Sequence, residues 1–124
     1  NNYIKDENMS LKLTKLEEIL REIFKNIKEN PENISYVRKT IEHYLPMTIK
    51  LISSYIELSE QSIQGENIKN AKKEIEESID LINKAFENLL NDLFEEVAMD
   101  ISTDISALKT LFTQDGLTEE EFKK

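Results

Sequence analysis

NPENISYVRKTIEHYLPMTIKLISSYIELSEQSIQG, residues 30–65, contains the two turns and the long segment between them that decide the fold. Its opening Asn-Pro-Glu combines a helix stop with a restart, because Asn caps helices, Pro suits the first helical position and Glu complements the helix dipole. Gln-Gly at its end breaks the apolar pattern a second time. Between these points the apolar residues keep a helical period. The stretch therefore predicts one long helix between two chain reversals.

Pro46 lies in the middle of that helix, directly after Tyr44 and Leu45. Proline lacks an N–H group and collides with the preceding turn, at a cost of about 3 kcal/mol in a helix interior. The apolar face nevertheless stays in phase on both sides of Pro46, so we predict that the proline kinks the helix without ending it. The alternative is that carbonyl groups freed near Pro46 bind a ligand, but no polar cluster nearby supports this.

The flanking sequence predicts three further helices with apolar residues at steps of three and four. Helix one is expected over residues 9–29, with an apolar face of Met9, Leu13, Leu16, Leu20, Ile23 and Ile27. Helix three is expected to reach about residue 97, with a face of Ile68, Ala71, Ile75, Ile79, Ile82, Phe86, Leu89 and Leu93. A shorter fourth helix follows with Met99, Ile101, Ile105, Leu108 and Phe112, and it ends at Gly116.

The fold predicted from these elements is all-α, an elongated antiparallel bundle of three long helices plus a shorter C-terminal helix. We expect a single bundle domain over residues 9–117, a flexible N-terminal segment over residues 1–8 and a short charged tail over residues 118–124. Thr118 and Glu121 in that tail form a capping box. Asp100, Ser102 and Asp104 offer capping side chains, which places the predicted break between helices three and four near them.

Composition narrows the classes of partner and chemistry. The formal net charge is −9 and is concentrated in the second half of the chain, so nucleic acid and anionic lipid surfaces are unsuitable partners. No run approaches the length of a membrane span, and direct insertion into a bilayer is not expected. The absence of cysteine excludes disulfides, thiolate metal sites and a cysteine nucleophile. No cofactor is predicted.

The best candidate for a chemical site is a series of acidic residues at intervals of four, Asp92, Glu96, Asp100 and Asp104. On a continuous helix they would form one stripe, and a hard cation such as Mg²⁺ or Ca²⁺ would relieve their repulsion. Water and salt would also relieve it, and a break near Asp100 would leave two of them as caps. The single histidine, His43, lies beside the apolar face and is interpreted as a solvent-exposed helix residue. From these residues we predict no catalytic residue and no confident metal site.

Four stretches together resemble a known family: YLPMTIKLISSYIELS at 44–59, AFENLLNDLF at 85–94, DISTDISALKTL at 100–111 and DGLTEEEF at 115–122. They are similar to the bacterial bromochloroindolyl phosphate hydrolysis proteins, the XpaC-like family. The resemblance implies the C-terminal helical domain of a longer protein whose N-terminal part spans the membrane in many relatives. It also implies that the kink at Tyr44, Leu45 and Pro46 belongs to the family's architecture. Val97 and Ala98 depart from the more acidic pattern of relatives, which weakens a metal-based interpretation.

Two functions are consistent with these features. The first is a non-enzymatic helical interaction or scaffolding domain, held on the cytoplasmic side and tethered to a membrane through a region outside this sequence. It would bind a protein partner, or a second copy as a dimer, through an apolar helix seam. Tyr3, Ile4 and Phe122 are further candidate contacts. The alternative is a metal-dependent phosphohydrolase that acts on small aryl phosphates through the acidic stripe.

Overall fold

The computed structural model describes residues 7–116, which form four α-helices and one short 3₁₀ helix, with no strand among them. The α-helices are α1 at Glu7–Glu29, α2 at Ile34–Ser59, α3 at Glu66–Leu93 and α4 at Glu95–Gln114, and the 3₁₀ helix is Pro31–Asn33. The predicted all-α class is thereby confirmed. The chain divides into two compact units, with the boundary after Asn91, so that α1, α2 and nearly all of α3 belong to the first unit.

The first turn contains three asparagines at the junction of α1 and α2. The side-chain nitrogen of Asn33 donates to the side-chain oxygen of Asn26 at 2.9 Å, and the backbone nitrogen of Asn30 donates to the Asn26 carbonyl at 2.8 Å. Pro31 occupies the first position of the 3₁₀ helix, as its fixed φ favours. Asn30 makes no side-chain cap hydrogen bond to this helix, and its side chain instead donates to the Asn26 carbonyl at 3.2 Å.

The second turn follows Ser59 and is closed by a glutamine side chain. The side-chain nitrogen of Gln64 donates to the carbonyls of Leu58 and Gln61, at 3.0 and 2.7 Å. The Gly65 carbonyl accepts the backbone N–H of Lys69 at 3.0 Å, which begins α3. Both predicted turns therefore occur at the positions that the sequence indicates.

The core of the first unit is formed by one face of each of its three helices. The buried residues are Met9, Leu13, Leu16, Ile19, Ile23 and Asn26 from α1, Val37, Thr48 and Tyr55 from α2, and Ile75, Ile79, Ile82, Asn83, Phe86 and Leu89 from α3. Ile19 is buried, whereas the predicted Leu20 and Ile27 are half-buried. The buried positions in the second half of α1 therefore run through Ile19, Ile23 and Asn26, in steps of four and three, rather than through Leu20 and Ile27.

Contacts between side chains show in which direction each helix of this unit runs. Lys12 forms an ion pair with Asp80 at 2.8 Å, and Lys15 forms one with Glu87 at 3.0 Å, so α1 and α3 run in the same direction. Along α2 the order is reversed, because Tyr55 donates to Glu76 at 3.1 Å while Tyr44 lies against Phe86 with ring centroids 6.1 Å apart. The three helices thus alternate in direction, as expected for an antiparallel bundle.

Pro46 lies inside α2, which continues on both sides of it. The ring is exposed, so the turn that lacks a backbone hydrogen bond lies at the surface. Two residues later the buried hydroxyl of Thr48 donates to the Tyr44 carbonyl at 2.7 Å. Tyr44 and Leu45 are half-buried. The prediction that proline does not end the helix is confirmed.

The break between helices three and four lies at Phe94, earlier than predicted from the capping residues. Phe94 has φ −101° and ψ 4° and is the N-cap of α4, although it makes no side-chain cap hydrogen bond. Asp100, Ser102 and Asp104 lie inside α4 and cap nothing. The far end agrees with prediction, since α4 ends at Gln114 and Gly116 has φ +85°, the left-handed conformation that favours glycine after a helix.

Several predicted features fall outside the described residues. The capping box of Thr118 and Glu121, the tail 118–124 and the candidate contacts Tyr3, Ile4 and Phe122 are among them. Of the predicted N-terminal segment 1–8, only residues 7 and 8 are described, and they begin α1. The single domain predicted for residues 9–117 stays a prediction.

Candidate interaction surface

The helix α4 contains no buried residue. Its large apolar side chains are nevertheless numerous, and the exposed ones are Val97, Met99, Ile101, Ile105, Leu108 and Leu111, together with the N-cap residue Phe94. Each of them is between 43% and 64% exposed. Helices in globular proteins gain most of their stability by packing an apolar face, so a helix with this composition and this exposure is suited to packing against a further surface.

Most of these apolar residues share one side of α4. Steps of four and three connect Phe94, Ala98, Ile101, Ile105, Leu108 and Phe112, and we refer to these six residues as the α4 seam. Phe112 is half-buried, and the other five are exposed. Val97 and Leu111 flank the seam at one edge. Met99 does not belong to it, because at 100° per residue it lies about 160° around the helix from Ile101. Grouping Met99 with the other apolar residues, as the sequence pattern suggests, was wrong.

The opposite side of α4 is mostly polar and carries both acidic residues and hydroxyl groups. Three threonine hydroxyls donate to carbonyls one turn earlier, Thr103 to Met99 at 3.0 Å, Thr110 to Ser106 at 3.1 Å and Thr113 to Lys109 at 3.0 Å. These bonds satisfy the hydroxyl groups within the helix itself. The strongest feature of α4 is therefore the contrast between the apolar seam and a polar, hydroxyl-rich face that also carries Glu96 and Asp100.

The acidic stripe predicted from the sequence is divided by the break at Phe94. Asp92 belongs to the last turn of α3, whereas Glu96, Asp100 and Asp104 lie on successive turns of α4. All four are exposed. Within residues 7–116, no three histidine, aspartate or glutamate side chains are grouped so as to hold one metal ion. Cation binding by the stripe stays a prediction.

A shallow depression of about 410 Å³ lies on the first unit along α2 and is lined by Ser35, Arg38, Lys39, Glu42 and His43. It contains three nitrogen-bearing side chains that the sequence pattern disperses among acids. The Arg38 side chain reaches Glu42 at 4.0 Å, so part of its charge is already balanced. His43 is exposed, as predicted, and its ring lies edge-on to Tyr44 with centroids 5.0 Å apart. The depression has no buried polar group that would define a ligand's position.

An apolar groove of about 210 Å³ adjoins it where α1 and α2 meet. The groove is lined by Phe24, Ile27, Ile34, Val37, Arg38, Ile41 and Glu42. Phe24 and Ile34 are exposed, while Val37 forms the buried floor. The groove is confined to the junction of α1 and α2, whereas the seam extends along most of α4.

From the sequence, we expected the apolar contact surface in the seams generally and did not single out α4. The apolar pattern of α4 is visible in the sequence, because Phe94 and Ala98 continue the spacing of Ile101, Ile105 and Leu108 toward the N-terminus. It was obscured by the expectation that helix three extends to residue 97, which assigned Phe94 to the wrong helix.

Comparison with family models matches residues 2–108 to the family described as 5-bromo-4-chloroindolyl phosphate hydrolysis protein. The matched range includes all of α1, α2 and α3 and most of α4. No curated protein and no solved structure matches the chain significantly. Among the helices of the described range, none has the length and apolar content required to cross a bilayer.

Proposed function

The chain belongs to the bromochloroindolyl phosphate hydrolysis protein family, and we propose that it acts as a non-enzymatic helical interaction domain. The proposal rests on one observation, the exposed seam of α4. An apolar strip along a whole helix is the surface by which a helix docks in a groove or pairs with another helix. The first unit supplies the stable fold, and α4 supplies the contact.

The family description names hydrolysis of an indolyl phosphate, and hydrolysis by this chain is the alternative function. Such a reaction requires an activated water or nucleophile and positive charge near the developing oxyanions. The carboxylates Asp100 and Asp104 would have to supply a metal site, and they are exposed on successive turns of α4. We therefore favour a contact function, in which the hydrolysis for which the family is named arises through a partner.

The resemblance to relatives with a membrane-spanning N-terminal part extends this proposal to location. We place the interaction domain on the cytoplasmic side, tethered to the membrane by a region outside the present sequence. The lack of cysteine is compatible with a reducing compartment.

Thiol labelling in cells that naturally produce the protein tests whether the seam is a contact surface. The chain has no cysteine, so single cysteines report one position each. Ala98→Cys places a thiol in the seam, and Thr103→Cys places one on the opposite side of the same helix as a matched control. Both positions are exposed. We expect Ala98→Cys to be labelled much more slowly than Thr103→Cys in cells. Equal rates would overturn the proposal.

The non-enzymatic part is tested with purified protein and bromochloroindolyl phosphate, with Mg²⁺, Mn²⁺, Ca²⁺ or Zn²⁺ added in turn. We expect no release of the indolyl product above a protein-free control. Turnover that requires one of these cations and disappears in the double variant Asp100→Asn/Asp104→Asn would show instead that the acidic stripe is an active site.

A further inference from the structure

The α4 seam has the spacing of a coiled coil. With Ala98, Ile105 and Phe112 at the a positions of a heptad repeat, the residues Phe94, Ile101 and Leu108 occupy the d positions. All six core positions are apolar, and the pattern contains no interruption between residues 94 and 112. In coiled coils these positions insert between residues of a facing helix. The seam is therefore suited to a partner that is itself a helix with the same spacing.

A second copy of α4 meets that requirement, and the charges beside the seam are complementary to it. In a parallel pair, each g residue faces the e residue five positions later on the partner helix. Asp104 is at g and Lys109 is at e in this repeat. Because the pair has two-fold symmetry, Asp104 of each copy attracts Lys109 of the other, and this attraction occurs twice. The other g and e positions within α4 bring no like charges together in the parallel arrangement.

An antiparallel pair that uses the same six core residues is less favourable. There each g residue faces a g residue, so Asp104 would meet the Asp104 of the second copy. Glu95 would face Lys109 twice, but the aspartate repulsion would remain. The charges therefore favour the parallel arrangement. Among parallel coiled coils, Ile105 at a followed by Leu108 at d favours two strands.

On this basis, and resting on the proposed interaction function, we propose that α4 pairs with a second copy of itself as a parallel two-stranded coiled coil. The pairing would bury the seam residues Phe94, Ile101, Ile105 and Leu108, which are 43% to 53% exposed in the single chain. It would also supply packing for a 20-residue helix that has no buried residue.

The first test is sedimentation equilibrium of the complete 124-residue chain over a wide range of concentrations, beside two matched variants. Ile105→Glu introduces a charge into the seam. Glutamate is itself a strong helix former, and it adds a favourable i to i+4 pair with Lys109 within the helix. Met99→Glu makes a similar change on the side away from the seam. We expect a monomer–dimer equilibrium in the wild type and in Met99→Glu, and a monomer for Ile105→Glu at every concentration. Circular dichroism checks that helix content is retained.

A wild-type chain that remains monomeric at all concentrations would overturn the proposal. A dimer that Ile105→Glu leaves intact would also overturn it, since another surface would then be responsible. These results are separable from the labelling experiment above. If purified protein is monomeric while Ala98→Cys is protected in cells, the interaction function stands and its partner is a different protein.

Charge reversal tests the parallel orientation. Lys109→Glu and Asp104→Lys each convert the two attractive pairs into repulsive ones, and we expect each to weaken the dimer roughly tenfold. The double variant Asp104→Lys/Lys109→Glu exchanges the charges and should restore wild-type affinity. In an antiparallel dimer, the double variant would place the two introduced lysines opposite each other. It would also bring Glu95 against an introduced glutamate, so the dimer affinity would not return to the wild-type value. Failure of the double variant to recover would therefore overturn the parallel arrangement.

Discussion

Asn26 shows how a single polar residue can determine a chain reversal. It is 7% exposed, and its side chain and its carbonyl both accept hydrogen bonds from the residues that follow α1. A buried amide is stable only when such bonds are made. The sequence identified the turn from Asn30 and Pro31, but the residue that organises it lies a full turn earlier, inside α1.

We predict that Asn26→Ala lowers the free energy of unfolding by about 1 kcal/mol, because the side-chain nitrogen of Asn33 loses its acceptor. The measurement is urea unfolding followed by circular dichroism. Asn88→Ala is the matched control, since Asn88 is exposed within α3 and alanine is the better helix former. It should leave stability unchanged or raise it slightly. Equal effects of the two changes would show that the Asn26 hydrogen bond contributes little.

The pair Lys12 and Asn83 illustrates how α1 and α3 are held in register. Lys12 donates to Asp80 and to the Glu76 carbonyl, and its own carbonyl accepts the side-chain nitrogen of Asn83 at 3.0 Å. Asn83 is buried, but its side-chain oxygen has no hydrogen-bond partner among the described residues. The periodicity of helix three predicted only its apolar face, because an asparagine beside that face is indistinguishable from a solvent-exposed one until the neighbouring helix is placed.

At the scale of elements, α2 shows how a proline is accommodated within a helix. Pro46 is on the exposed side, so the missing backbone hydrogen bond leaves a carbonyl near solvent rather than in the core. The buried residues Thr48 and Tyr55 follow it on the packed side. The phase of the apolar residues was sufficient to predict continuity, because a proline that ended the helix would have reset that phase.

We predict that Pro46→Ala stabilises the first unit, by at most about 3 kcal/mol, since alanine restores a backbone donor and removes the clash with the preceding turn. Thermal and urea unfolding measure the change. Met47→Ala, at the exposed neighbouring position, serves as control and should have an effect of less than about 0.5 kcal/mol. Destabilisation by Pro46→Ala would contradict this prediction and would mean that packing of Tyr44 against Phe86 depends on the shape that proline imposes.

The helices α3 and α4 contrast in how their backbones are protected. The apolar face of α3 is buried, whereas every side chain of α4 is exposed or half-buried. Amide hydrogens exchange through local opening, which is easier where few side chains are packed. We predict faster hydrogen exchange in α4 than in α3 at low protein concentration, and slower exchange in α4 as concentration rises. Equal protection of both helices in dilute protein would contradict the first part of this prediction.

For the whole molecule, the distribution of burial separates a stable part from a contact part. Every buried residue within the described range lies between Met9 and Leu89. The compact unit that ends at Asn91 therefore contains the complete core seen in residues 7–116. The hydrophobic effect is proportional to buried apolar area, so α4 contributes little to the stability of a single chain.

We predict that a chain truncated after Leu93 folds cooperatively, with a free energy of unfolding within about 1 kcal/mol of the complete chain measured in dilute solution. Calorimetry and urea unfolding make the comparison. A chain truncated after Ser59 lacks α3 and with it the fully buried Phe86 and Ile79, and it should be unfolded. Loss of cooperative unfolding after removal of α4 alone would show that its seam is needed by the first unit.

The order of residues along the chain was sufficient to predict the all-α class, most of the helix faces, both turns and the helix end at Gly116. These features depend on local periodicity and on residues with restricted backbone conformations, and such information is contained within a few turns of the chain. Family membership likewise follows from linear order, since the match extends over residues 2–108.

Which of the predicted apolar faces are buried became known only from the packed helices. The patterns of α1, α3 and α4 are similar along the chain, yet the faces of α1 and α3 are buried with that of α2, whereas five of the six residues of the α4 seam are exposed. The position of the break at Phe94, which divides the acidic stripe, likewise came from the structure. Burial and the meeting of distant side chains depend on how all helices pack at once, and no local pattern contains that information.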